Sequence, residues 1–185
     1  MKEPIIAKIV KIMKGRNIFL IGMMGCGKSV TGLKLAELLK YKYIDLDLLI
    51  EKVAKKSIYQ IFKDDGEEKF RQLETNCLKE IIKIPSLIVS TGGGIVTKAE
   101  NWGILRQGTV IWIDTDQEIA LERLKNEIDK RPLLDGEDLN NLYASIMQSR
   151  KDLYSQADLR IEVKKENIQE VAMKIIFKIQ KKIIN

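Results

Sequence analysis

The sequence predicts an α/β protein, a parallel sheet with helices on both faces, and three observations carry that expectation. Short continuous apolar runs recur along the 185 residues, each about as long as a strand buried on both sides. Longer amphipathic stretches separate them, so strand and helix alternate. Glycine clusters close two of the runs, and in such sheets ligands sit beyond the carboxyl ends of the strands.

The elements follow in order. Residues 1–16 are lysine-punctuated, include Glu3 and lack an uninterrupted apolar centre. They read as an N-terminal extension forming a short amphipathic helix, not as a signal peptide. NIFLIG (residues 17–22) is a buried strand, and the stripe of Val30, Leu33, Leu35, Ala36, Leu38 and Leu39 makes residues 28–39 a helix. YIDLD (residues 43–47) is a second strand with carboxylates at its end, followed by a helix over about 48–55. DDGEEKFRQLETNCLKEIIK (residues 64–83) is a long helix with its acids early, as the macrodipole favours, and Pro85 breaks it. LIVST (residues 87–91) is a third strand, ended by Gly92-Gly93-Gly94. TVIWID (residues 109–114) is a fourth, with a helix over about 116–126 behind it. IDKRPLLDGEDL is turn-rich around Pro132 and Gly136 and reads as a loop. A helix over 139–154, a strand LRIEV (159–163) and a closing helix from Asn167 complete the chain, with no internal repeat.

Composition narrows the chemistry. Apolar residues make up 45%, enough for a core without metal or disulfide staples. The absence of histidine removes imidazole bases and His-ligated metals. Two cysteines, Cys26 and Cys77, point to a reducing compartment, and we expect a cytoplasmic monomer. A net charge of +6 suits anionic ligands, but the bases are interleaved with acids and aromatics are sparse. Nucleic acid is therefore not the expected partner. No apolar run approaches the ~18 residues of a membrane span.

GMMGCGKS (residues 22–29) has the Gly-x-x-x-x-Gly-Lys-Ser pattern of a phosphate-binding loop, between a strand and a helix as that motif requires. Glycines let backbone N–H groups turn toward phosphate oxygens, and the helix N-terminus adds positive charge. Nucleotide contacts are expected over Gly25, Cys26, Gly27, Lys28, Ser29 and Val30. Lys28 would reach the β- and γ-phosphates and the Ser29 hydroxyl would ligate Mg²⁺. No Asn-Lys-x-Asp guanine-reading motif occurs, so a small kinase is favoured over a GTPase.

The acceptor side is more ambiguous residue by residue. Asp45 and Asp47 point to one side if the strand is still extended there, but Asp47 reads equally as a helix N-cap. Arg71 and Glu74 share a helix face and could be an ordinary surface ion pair. Arg150, four before Tyr154, has the same alternative. The glycine triplet could be only a tight turn. Arg131, before Pro132, sits in a loop suited to a lid.

Taken together, GMMGCGKS, the aspartates of YIDLD, EKFRQLE, TGGG, KRPLL and RKDLY have the order and spacing of shikimate kinase, which the chain resembles from Asn17 to about Val163. The resemblance implies a nucleoside-monophosphate-kinase-like, three-layer P-loop kinase fold with about five parallel strands. Its subdivisions would be a kinase domain over 17–185, a substrate-binding subdomain over about 45–75 and a lid over about 127–140. It implies ATP and Mg²⁺ as cofactors and shikimate as acceptor. Asp47, Arg71, Gly93 and Arg150 would bind shikimate, with the two arginines on its carboxylate and Glu74 orienting Arg71. Lys28, Asp47 and Arg131 would be catalytic, Asp45 would join Ser29 at the metal, and Arg123 would lie against adenine. One departure is local: the family often has an aspartate after the last strand's valine, where this chain has Lys164 and Lys165.

Overall fold

The computed structural model describes residues 2–125 and 139–184. Five parallel strands, β1 (Ile18–Ile21), β2 (Lys42–Asp45), β3 (Leu87–Ser90), β4 (Thr109–Thr115) and β5 (Leu159–Val163), form one sheet in the order β2-β3-β1-β4-β5. The helices are α1 (Lys2–Met13), α2 (Lys28–Leu39), α3 (Leu46–Ala54), α4 (Ile58–Ile81), α5 (Ala99–Leu105), α6 (Gln117–Lys125), α7 (Leu139–Tyr154) and α8 (Ile168–Ile184). No helix among the described residues is long and apolar enough to cross a membrane.

The three central strands β3, β1 and β4 are mostly apolar and buried on both faces, whereas the edge strands β2 (KYID) and β5 (LRIEV) keep polar residues toward water. Phe19 and Ile21 of β1, with Val110 and Trp112 of β4, face one core that includes Ile50 of α3, Leu78 of α4, Leu105 of α5 and Tyr154 of α7. Ile18 and Leu20, with Ile111 and Ile113, face the other, with Leu35 of α2 and Ile175 and Ile176 of α8. Period-2 alternation thus serves two cores at once. Ile9 and Met13 of α1 are buried in the second core.

Three departures from the sequence reading have physical causes. The second strand stops at Asp45 and α3 begins at Leu46, because the Asp45 carboxylate accepts from the backbone N–H of Asp47 (3.1 Å) and Leu48 (3.4 Å). Asp45 is therefore the N-cap, and Asp47 lies in the first helical turn. The long helix starts at Ile58, not 64, behind a reciprocal capping box of Ser57 and Gln60. It is interrupted at Gly66, whose φ of 81° and ψ of 170° break the helix. A short α5 and a 3₁₀ turn (Ile95–Thr97) also fill the stretch after the glycine triplet.

Candidate active site

The strand order reverses direction around β1, where chains leaving neighbouring strands diverge and leave a crevice. The loop after β1 and the Thr91–Gly94 turn after β3 border it, with Asp45 at the end of β2. A cleft of about 430 Å³ lies there, lined by Gly25, Gly27, Lys28, Ser29, Val30, Asp45, Asp47, Gly93 and Arg123, with Met24, Thr91, Gly92 and Ile168.

Side chains from adjacent strand ends hold the phosphate-type loop in place. Thr115 Oγ1 donates to Cys26 O at 2.9 Å, Thr91 Oγ1 to Leu20 O at 2.9 Å, and Ser90 Oγ to Lys28 O at 3.0 Å. Gly25 has φ 72°, and a Cβ there would meet Ala120 O of α6 at 2.5 Å, so only glycine lets the loop rest on that helix. The Lys28 ammonium donates to Gly22 O (2.9 Å) and Met23 O (2.7 Å), arched across the mouth of the loop. The first turn of α2 contains no acid, leaving its N-terminal dipole free for an anion. Cys26 is buried beneath the loop, and Arg123 on α6 reaches over it, donating to Gly25 O at 3.4 Å.

Opposite stands the carboxylate side. Asp45 Oδ2 accepts from Ser29 Oγ at 2.9 Å and Tyr43 Oη at 3.2 Å, so this cap also joins β2 to the loop helix. A hydroxyl and a carboxylate oxygen so placed fit Mg²⁺, which takes one or two protein oxygens and completes its shell from phosphates and water. Asp47 and Glu74 converge over Gly92: a Cβ there would meet Asp47 Oδ1 at 2.9 Å and Glu74 Oε1 at 3.1 Å.

Behind them α4 and α7 deliver two arginines to the glycine turn. Arg71 donates from Nη1 to Glu74 Oε2 at 2.9 Å, and a Cβ on Gly94 would strike its guanidinium. Glu74 is fully buried, and burial pushes its carboxyl up to about 7 although Arg71 opposes the rise. Tyr154 donates to Gly93 O at 2.6 Å, and the position of a Gly93 Cβ lies 3.6 Å from both Arg150 Nη1 and Tyr154 Oη. Burial raises the Tyr154 hydroxyl to about 12, with Arg150 opposing it, so the phenol remains a donor. Arg131 lies outside the described residues.

The shikimate kinase family model matches residues 24–180. This chain belongs to the shikimate kinase family. It is accordingly an ATP-using kinase of the shikimate pathway. A shikimate kinase of Prochlorococcus marinus is 51% identical over 172 residues, covering 92% of this chain and 90% of that protein. The structure of a shikimate kinase from Acinetobacter baumannii in complex with shikimate superposes with a TM-score of 0.88 at 34% identity, covering 93% of this chain and 97% of that one. A gluconokinase from Sinorhizobium meliloti reaches a TM-score of 0.62 at 15% identity and shares the fold alone.

The family's motifs account for most residues that meet at the cleft. Met24, Thr91 and Ile168 were not singled out from sequence as site residues, whereas Gly92 belongs to the glycine triplet considered on the acceptor side. The phosphate-loop pattern brackets Met24 and the TGGG run signals Thr91, whereas Ile168 begins α8 and carries no chemical signature. The Lys164–Lys165 departure is absorbed locally: Glu166 accepts from Lys164 N and from Lys174 Nζ, both at 2.7 Å, and Asn167 with Glu170 caps α8.

Proposed function

We propose that this chain transfers the γ-phosphoryl of ATP to the 3-hydroxyl of shikimate, giving shikimate 3-phosphate and ADP. The observation that carries this reading is one cleft in which the phosphate-type loop faces Asp47, with Arg71 against Gly94 and Arg150 beside Gly93 at the glycine turn. Planar guanidinium groups pair with carboxylates, and shikimate offers one carboxylate among hydroxyls.

Transfer of a phosphoryl group through a loose transition state asks the protein mainly for in-line positioning and charge neutralisation. Asp47 orients the acceptor hydroxyl and receives its proton. Arg71 and Arg150 grip the carboxylate, Glu74 fixes Arg71, and the Gly93 backbone approaches the ring closely. Gly25, Cys26, Gly27 and Val30 shape the nucleotide cradle, and Arg123 covers the base. Lys28 swings from the loop carbonyls to the β- and γ-phosphates, and Arg131 joins it from a lid over about 127–140. Ser29 and Asp45 would hold Mg²⁺, which would supply charge neutralisation at the phosphoryl oxygens. Residues 45–75 act as the substrate-binding subdomain of a 17–185 kinase domain, with 1–16 as an extension, and the enzyme works as a cytoplasmic monomer.

A coupled ADP-release assay with MgATP against shikimate, gluconate and nucleoside monophosphates tests the reading. Shikimate alone should drive release, and preference for either rival acceptor would overturn it.

A further inference from the structure

The Arg71 fork already holds a carboxylate. Its Nε and Nη2 both donate to one oxygen, Oε1 of Glu67, at 3.2 Å each, while Nη1 is committed to Glu74 at 2.9 Å. These are the two N–H groups a guanidinium presents side-on to a carboxylate ligand, although Glu67 meets them with one oxygen only. The two acids differ in kind. The Glu74 side chain is 0% exposed and cannot leave without breaking the core, whereas that of Glu67 is 65% exposed. Among the described residues, Arg71 is the only hydrogen-bonding or ion-pair partner of Glu67.

The backbone favours release of Glu67. It follows Gly66, the one residue of α4 outside helical φ/ψ, so it opens the helical run that carries Arg71 four residues on. A carboxylate at the first turn of a helix also suits the dipole, so Glu67 keeps a favourable place after letting go. The pair is open to water on the Glu67 side alone, 65% exposed against 10% for Arg71, so the glutamate can be solvated as it leaves while the buried fork stays in place for an incoming carboxylate.

We propose that Glu67 is an internal stand-in for the substrate carboxylate, occupying the Arg71 fork in the free enzyme and displaced when shikimate binds. Glu67 thereby sets the affinity for shikimate without touching it. This rests on the reading of Arg71 as the carboxylate grip. Apparent affinity scales with the fraction of molecules whose fork is free, so emptying it tightens binding by about 2- to 5-fold, the range of a weak ion pair.

Calorimetric titration of shikimate into the wild type, Glu67→Gln, Glu67→Asp and Arg71→Ala tests this, with melting temperatures confirming the fold. Glu67→Asp keeps the charge but is one methylene short of the fork. Tighter binding in both Glu67 variants is the expected result. Tightening in Glu67→Gln alone would mean that charge repulsion acts without any exchange, and would overturn the stand-in. Unchanged or weaker binding in both would overturn it as well. Arg71→Ala separates the two readings: if it binds shikimate as the wild type does, the grip itself is wrong. If it binds weakly while both Glu67 variants match the wild type, only the stand-in fails.

Discussion

At the scale of single residues, Glu74 couples proton uptake to folding. Its carboxyl is raised to about 7 in the native protein from an ordinary 4.5, chiefly by burial. Across that window the native state holds a proton that the unfolded chain has released. The contribution of Glu74 to stability is therefore fully present below about 4.5 and is lost as pH rises through about 7. The loss is on the order of 3 kcal/mol. Urea denaturation of the wild type and Glu74→Gln at several pH values in this range measures it. The wild-type curve should fall more steeply, and parallel curves would remove Glu74 as the cause. The acceptor-side residues make a second prediction. Arg71→Ala or Arg150→Ala should weaken shikimate binding by about 2–5 kcal/mol if the charge pair is well desolvated, with ATP affinity falling much less. Unchanged shikimate affinity in both variants would end the clamp assignment. Asp47→Asn should keep the fold yet lower turnover by about 10²-fold or more, the usual scale of losing a positioned proton acceptor. Near-wild-type turnover would take Asp47 out of the chemistry.

At the scale of elements, two glycines do opposite jobs. Gly25 is hemmed in by α6, so Gly25→Ala meets both a strained φ and the Ala120 carbonyl. ATP binding should fall at least about 10-fold, a modest 1.4 kcal/mol beside the strain expected of such a residue. Gly66 has nothing within 4 Å of a Cβ, so Gly66→Ala isolates backbone strain alone. It should cost about 1–3 kcal/mol in urea denaturation. A neutral result would show that the two helical runs can realign. Such elements also mark what could be read in advance. The central strands were legible because burial on both sides demands unbroken apolar runs, the edge strands only by shorter mixed ones. The segment of α4 before Gly66 was hidden because Gly66 and the acids around it look like a helix start, although Ser57-x-x-Gln60 was a usable cap signal. Asp47 was placed on a strand because sequence does not show that the Asp45 side chain turns the backbone into a helix two residues earlier. The pairing of Arg71 with Glu67 was likewise out of reach: which of the clustered acids meets the fork depends on where the helix restarts.

At the scale of the whole molecule, the first helix belongs to the core. Ile9 is 1% exposed in the layer it shares with α2 and α8. Ile9→Ala should cost about 2–4 kcal/mol, as for any buried aliphatic truncation. A loss under about 0.5 kcal/mol, within the range of surface substitutions, would make α1 a mere appendage.

The central position of β1 has a consequence for how the chain is made. As the first strand synthesised, it must wait for partners: Ile18 pairs with Ile88 and Thr109, and the hydroxyl that holds the loop at Cys26 belongs to Thr115. Until that stretch leaves the ribosome, the nascent chain exposes an unpaired apolar strand, the kind of edge that invites aggregation or chaperone capture. Pairings so distant in sequence also make folding slow. The nucleotide cradle therefore comes late in biogenesis although its residues are translated early, and ATP can reward only chains that have already threaded their sheet.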